Sequence, residues 1–351
     1  MVMQHGGNIT RYQTEWGWSR DKMADFSANL NPLGPPDSVL RAIQEALPRI
    51  IDYPDPLGED VLDALAKKWS LPASRFLLGN GAAELIFLAM RLIQPKKIAT
   101  VTPAFREYEQ AAKVEGAEIL RVPLSAQTGF RVESEPLFQV LPKVDLLVLA
   151  NPNNPTGRCI DRGILDEILH TARDLDKWLL IDEAFLDFLP DEEARTLIRY
   201  VTDFEKLIVI RSMTKFYAIA GIRVGYLAAE GHLVDRMREM QVPWSVNTLA
   251  QMAAIAGLED EEFRQRTLDW LQTERKFLSE QLREKGYRVV PSDANFLLVQ
   301  REDVRIEQLW PKLAEKGIFV RDCRSFAGLD ETYFRIAVRA REENRRLLEL
   351  L

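Results

Sequence analysis

Cysteine and histidine are scarce in this chain. Its 351 residues include two cysteines, Cys159 and Cys323, and three histidines, His5, His170 and His232. The histidines lie far apart, and no Cys/His group has the spacing of metal ligands, which argues against a bound zinc. Two cysteines cannot staple a chain of this length, and the first residues, Met1 to Gly7, lack the apolar stretch of a secretory leader. A reduced, cytoplasmic protein is therefore expected. No run approaches the roughly 18 consecutive apolar residues of a membrane span. Basic residues are not in excess either, with 46 Lys and Arg against 53 Asp and Glu and a net charge of -7. Neither nucleic acid nor a membrane surface is an expected partner, although local basic clusters can still hold a small anion. Internal repeats and low-complexity segments are absent.

What remains is an ordinary globular composition, 46% hydrophobic and 28% charged, and a strict alternation of elements. Short apolar runs at 75–78, 97–101, 118–122, 144–150, 178–182 and 207–211 read as strands. Amphipathic stretches at 82–93, 106–115 and 162–174 read as helices between them. Strand, helix, strand in repetition implies an α/β fold with a mostly parallel sheet covered by helices. In such sheets ligands sit outside the carboxyl ends of the strands. Near Gly231 the pattern changes. Helices at 233–241, 249–258 and 262–284 precede strands at 287–290, 295–300, 318–321 and 333–338, as in a smaller α+β domain. Residues 1–35 read as an extended arm dense in turn formers, after which Asp37 or Ser38 is placed to cap a helix. The expected division is an arm with its first helix at 1–45, packing with the small domain, a large domain at 46–260 and a small C-terminal domain at 261–351.

Four polar groups fall just past strand ends. Gly79-Asn80-Gly81-Ala82-Ala83-Glu84 opens a helix, where glycine lets the backbone approach an anion and free N–H groups can bind phosphate. Asn151-Pro152-Asn153-Asn154-Pro155-Thr156-Gly157 is a stiff, non-helical turn that can aim an amide at a ring oxygen. Asp182 ends an apolar strand, where a carboxylate is costly unless paired, and a protonated pyridine nitrogen would be a natural partner. Ser212-Met213-Thr214-Lys215 follows the next strand, with Arg223 beyond it. A lysine there must be paired, deprotonated or covalently modified, while Ser212 and Arg223 suit a phosphate. Together the four groups suit one phosphorylated pyridine aldehyde, pyridoxal 5'-phosphate.

The order Asn-Asn-Pro-Thr-Gly, Asp-Glu-Ala-aromatic, Ser-x-x-Lys and Gly-x-Arg-x-Gly resembles the fold type I pyridoxal-phosphate-dependent aminotransferases, in particular the histidinol-phosphate aminotransferase branch. The resemblance covers nearly the whole chain. Within that branch, His5-Gly6-Gly7-Asn8-Ile9, Asp25-Phe26-Ser27-Ala28-Asn29 and the stretches around Arg321 and Arg335 look most like the L-threonine-O-3-phosphate decarboxylases of cobalamin synthesis. The resemblance implies that Lys215 bonds the cofactor aldehyde, Asp182 pairs with the ring nitrogen and Asn154 meets the ring hydroxyl. Ser212, Arg223, Gly81, Ala82 and Ala83 would hold the cofactor phosphate, and Phe105 would stack on the ring. Tyr53 would reach the cofactor phosphate of a neighbouring subunit, which makes a homodimer with shared active sites the expected assembly. Substrate contacts would come from His5, Gly6, Asn29, Asn154, Arg321, Arg335 and Arg339. Many relatives have tyrosine where Phe185 stands. Without that hydroxyl, Asn154 alone, Tyr217 or Tyr108 would support the ring oxygen. The activity implied is decarboxylation of L-threonine O-3-phosphate to (R)-1-amino-2-propanol O-2-phosphate, with histidinol-phosphate or related aminotransfer as the alternative.

Overall fold

The computed structural model describes residues 6–351. A seven-stranded sheet forms its centre. Across it the strands run in the order Phe76–Gly79, Gly225–Ala228, Leu207–Ser212, Trp178–Asp182, Leu146–Ala150, Lys97–Thr102 and Glu118–Pro123. Gly225–Ala228 is antiparallel to both of its neighbours, and the remaining pairings are parallel. The central strands are apolar throughout because both faces are covered. Leu147, Leu149, Leu179, Ile181, Leu207 and Val209 enter one buried cluster. Leu146, Val148, Ala150, Leu180, Ile208 and Ile210 enter another, packed on the helix Ala82–Ile93. Each fully buried side chain of this kind stabilises the fold by about 1.5–3 kcal/mol.

The same alternation carries past the apolar residues to the strand ends. Asp182 continues the face of Leu180, and Ser212 that of Ile208 and Ile210. Arg211 continues the opposite face, with Leu207 and Val209. The chain reverses its direction of travel across the sheet between Lys97–Thr102 and Leu146–Ala150. The loops after these two strands, 103–106 and 151–157, therefore flank a switch point, where α/β sheets place ligands.

A second, antiparallel sheet has the order Arg321–Asp322, Tyr333–Ala337, Phe296–Gln300 and Arg288–Val289. The helix Glu261–Glu284 leads into it. The apolar run at 318–321, expected as one strand, is divided at Val320. Ile318–Phe319 pairs in parallel with Ala24–Asp25, whereas Arg321–Asp322 turns to join Tyr333–Ala337. Between the two pairings, the Val320 carbonyl accepts from the indole N–H of Trp310 at 3.0 Å.

The N-terminal region also departs from the extended arm expected of it. Ile9–Trp16 is helical, with Tyr12 fully buried and stacked on Phe319 at 3.9 Å. Its apolar residues Ile9, Tyr12 and Trp16 do stand at helical spacing, but over only two turns in a stretch flanked by Gly6, Gly7 and Gly17. At the next helix, Asp37–Ala46, the capping position falls to Pro36 rather than to Asp37 or Ser38. Ser38 instead bonds the Asp260 carboxylate at 2.5 Å. The helix Ser134–Val140, in a stretch left unassigned from sequence, packs along the sheet edge.

Candidate active site

Two connected cavities open at the carboxyl ends of the large sheet. The inner one, about 130 Å³, is lined by Asp182, Ser212, Thr214, Lys215, Arg223 and Tyr108 among others. The outer one, about 430 Å³, shares Phe105, Asn154, Phe185, Lys215 and Arg223 and adds Arg321, Arg335 and the arm.

Lys215 lies in the short helix Met213–Phe216, which begins where the strand Leu207–Ser212 ends. Its Nζ donates to Thr214 Oγ1 at 2.9 Å, and that hydroxyl lies 2.9 Å from Ser212 Oγ. Burial and the Arg223 charge push the ammonium down to about 8, against the pull of Asp182. Near neutral pH the amine can thus shed its proton and act as a nucleophile.

Asp182 is buried at the end of its strand. Its Oδ2 accepts from the Tyr108 hydroxyl at 2.6 Å and its Oδ1 from the Ala184 backbone N–H at 2.9 Å. Burial raises its pKa, and these bonds and Lys215 oppose the rise. Tyr108 was considered from sequence only as a stand-in for the hydroxyl missing at Phe185. The structure gives it another task, since its hydroxyl is committed to Asp182. Tyr217 packs edge-on against Phe216 and near Phe263 and lines neither cavity. Among the three residues considered for the ring oxygen, Asn154 is left. The Tyr108 link had a legible signal in Phe105-x-x-Tyr108, a second aromatic one helical turn along, but its target did not.

A pocket whose groups suit a phosphate is assembled from three elements. Gly81 (φ +80°) precedes the helix Ala82–Ile93, and a Cβ there would stand 2.3 Å from the Arg223 guanidinium. A Cβ on Gly225 would stand 2.9 Å from the Ala82 nitrogen. Both glycines keep side-chain carbon out of a site where a helix N-terminus, a guanidinium and the Ser212 hydroxyl converge.

On the opposite wall, Arg335 donates to Asn154 Oδ1 at 2.5 Å and to the Ser27 carbonyl at 2.9 Å, over the Phe296 ring. Its buried Nε has no hydrogen-bond partner among the described residues. Burial lowers its pKa to about 10. Arg321, also buried, donates to Ser325 Oγ at 2.7 Å and lies over Phe326. Gly6 and Asn29 line the same cleft. His5 lies outside the described residues. Arg339 does not join this wall. It is paired with Glu343 at 2.7 Å and lines neither cavity, so the substrate contact expected of it is not supported by its position. Tyr53 is 78% exposed and stacked on Trp244 at 4.5 Å, away from both cavities of its own chain.

Behind the site, on the other face of the sheet, lies a buried ion cluster. Arg211 meets Glu183 at 3.1 Å, Asp187 at 3.1 Å and Glu192 at 2.5 Å, and Glu192 also meets Lys68 and Arg264. Glu183 and Arg211 directly follow and precede Asp182 and Ser212, so this cluster ties together the two strand ends that face the inner cavity. Sequence reading passed over it, because alternation names the face a charge takes and not its partner.

A nucleophilic lysine, a buried carboxylate and a phosphate cradle around one cavity fit pyridoxal 5'-phosphate, and with the sheet order they define a fold type I pyridoxal-phosphate enzyme. The chain belongs to the aminotransferase class I and II family, whose model matches residues 21–351. It is 40% identical to a threonine-phosphate decarboxylase of Salmonella typhimurium, over 99% of this chain and 95% of that one. Among solved structures it is similar to a histidinol-phosphate aminotransferase from Clostridium acetobutylicum (33% identity, TM-score 0.87, covering 93% and 97% of the two chains). It is also similar to an L-threonine-O-3-phosphate decarboxylase from Porphyromonas gingivalis (25% identity, TM-score 0.81, covering 93% and 97%).

Proposed function

We propose that this protein is a pyridoxal-phosphate-dependent carboxy-lyase that converts L-threonine O-3-phosphate to (R)-1-amino-2-propanol O-2-phosphate in cobalamin biosynthesis. The observation that carries the reading is the pair of buried arginines, Arg321 and Arg335, on the wall of the cleft that holds Lys215. A substrate with a carboxylate and a phosphate needs two cationic partners, and guanidinium groups bind both in forked geometry. The decarboxylase relative, alike over nearly its whole length, supports the same substrate.

Pyridoxal phosphate, when bound, supplies a ring that accepts the electron pair left on Cα as the bond to the carboxylate breaks. The chain's own groups do the rest. Asp182, held by Tyr108 and the Ala184 N–H, keeps negative charge where a ring nitrogen is to stay protonated. Asn154 has its Oδ1 taken by Arg335, which leaves its amide N–H₂ to donate to the ring oxygen. Ser212, Arg223 and the N–H groups of Ala82 and Ala83 would hold the cofactor phosphate, and Phe105 would cover the ring. Arg335 and Arg321 hold the substrate's anionic groups, and their placement decides whether Cα–COO⁻ or Cα–H stands ready to break. After CO₂ leaves, Lys215 returns a proton to Cα.

A second copy of the chain would complete the site. Ile51 is 87% exposed, and Ile50, Val242 and the stacked pair Tyr53–Trp244 also stand open to solvent. Exposed apolar groups on that scale mark an interface, and Tyr53 would cross it to the partner's cofactor phosphate. A reducing cytoplasm suits the two free thiols. Among the described residues, no helix is long and apolar enough to cross a membrane.

The test is incubation of the holoenzyme with O-phospho-L-threonine alone. CO₂ should be released without any 2-oxoacid. Product that forms only when 2-oxoglutarate is added would replace this reading with aminotransfer. Sedimentation should show a dimer that Ile51→Asp dissociates.

A further inference from the structure

Ser27 joins three parts of the molecule at one point. Its Oγ donates to Asp25 Oδ1 at 2.5 Å and accepts from the Gly7 backbone N–H at 2.9 Å. The Tyr12 hydroxyl lies 3.3 Å from the same oxygen. With its proton committed to Asp25, the Ser27 hydroxyl acts as acceptor toward both Gly7 and Tyr12. The Ser27 carbonyl accepts from Arg335 Nη2 at 2.9 Å. One residue thus links the glycine segment, the helix Ile9–Trp16 and the arginine of the substrate wall.

The contact is close. A Cβ at Gly6 would stand 2.1 Å from the Ser27 carbonyl oxygen, so a side chain there would force the arm away. Asp25 is itself held in place. Its strand pairs with Ile318–Phe319, and Arg339, braced by Glu343, donates to its carbonyl at 3.4 Å. Arg339 therefore bears on the cleft through Asp25. Gly6, Gly7, Asp25 and Ser27 line the same cavity as Arg321 and Arg335.

We propose that Ser27 is a positioning residue that sets the preference for a phosphorylated substrate, by holding the Gly6–Gly7 segment against the wall formed by Arg321 and Arg335. The identity of the substrate rests on the proposed function, while the holding of the arm does not. A phosphate gains from several donors fixed in advance, and a loose arm adds the cost of ordering it to every binding event. An amino acid without a phosphate is held by the Arg335 side of the cleft and is indifferent to the arm.

Ser27→Ala in the holoenzyme tests this. Amide hydrogen exchange of residues 6–16 should quicken by about tenfold or more, as expected for loss of one or two hydrogen bonds. Dissociation constants read from the change in cofactor absorbance should rise about tenfold for O-phospho-L-threonine and less than about twofold for L-threonine, with cofactor affinity unchanged. Gly6→Ala, whose Cβ would collide with the Ser27 carbonyl while the Ser27 hydroxyl is kept, should quicken the same exchange and weaken O-phospho-L-threonine binding, and serves if Ser27→Ala fails to fold. Unchanged exchange in both variants, or equal weakening of the two ligands, would overturn the proposal. A wild-type protein with no preference for the phosphorylated ligand would overturn the proposed function, and with it the specificity role, whatever the exchange shows.

Discussion

Replacing Arg211 with methionine tests whether the ion cluster behind the sheet holds together the strand ends that carry Asp182 and Ser212. The guanidinium is fully buried and faces Glu183, Asp187 and Glu192, while Lys68 and Arg264 add two further positive charges at Glu192. Methionine fills similar space beside Trp69 and leaves Glu183 and Glu192 short of a partner. Removing one member of a buried pair costs about 3–5 kcal/mol. With an unfolding entropy of about 2.1 cal/mol/K per residue, a chain of 351 residues should lose about 4–7 °C in Tm. The loss should depend on pH. Burial alone would raise the Glu192 carboxyl, but Arg211, Lys68 and Arg264 hold it down at about 2 in the folded protein. A depressed carboxyl contributes stability above its unfolded range, near 4.3, and that contribution fades as pH falls toward 2. The variant lacks the Arg211 share, so its deficit should be largest at neutral pH and shrink below about 4.5. Calorimetry from pH 7 to pH 3 makes the measurement. Glu183→Gln added to Arg211→Met should recover part of the loss. A Tm within about 1 °C of wild type at pH 7, or a deficit that is constant with pH, would refute the reasoning.

Three further outcomes follow from the site. Because the Lys215 amine titrates at about 8, the rate of pyridoxal phosphate uptake by apoprotein should climb about tenfold per pH unit below 8 and level off above it. Stopped-flow absorbance reads this, and a flat profile between pH 6 and 9 would exclude the lysine as nucleophile. Tyr108→Phe removes a donor that opposes the burial of Asp182. The acid limb of the pH–kcat profile should move upward and kcat should fall about tenfold or more, the effect of one hydrogen bond to a charged group. Gly81→Ala places a Cβ against Arg223 in a backbone region reserved for glycine. Cofactor affinity should drop by at least about tenfold with little change in Tm, measured by dialysis and calorimetry.

The middle of the large sheet was legible because its strands are buried on both faces and read as apolar runs, while the edge strand Glu118–Pro123, largely exposed and carrying Glu118 and Arg121, is marked only by its place in the alternation. The groups at their ends were legible for a related reason. A carboxylate at Asp182 or a lysine at Lys215 is out of place after such a run unless chemistry keeps it there. What sequence missed depends on contacts between distant segments. The Ile9–Trp16 helix is stabilised by Tyr12 on Phe319, a contact no local pattern encodes. The split at Val320 arises because two different strands claim its two halves. Arg339 lies two residues beyond the strand Tyr333–Ala337, which carries Arg335, and was given the same task. The structure turns it toward Glu343 and the Asp25 carbonyl instead.

The pairing of Ala24–Asp25 with Ile318–Phe319 has a consequence for how the protein is made. During synthesis, Gly81, Asp182, Ser212, Lys215 and Arg223, the residues of this chain proposed to hold the cofactor, have all appeared once Gly225 emerges. The wall where Ser27 meets Arg335 waits for nearly the last residues of the chain. Long-range pairing of this kind forms late. The two halves of the cleft are thus set by different stretches of the chain, the Lys215 side by residues made early and the Arg335 side by residues made last.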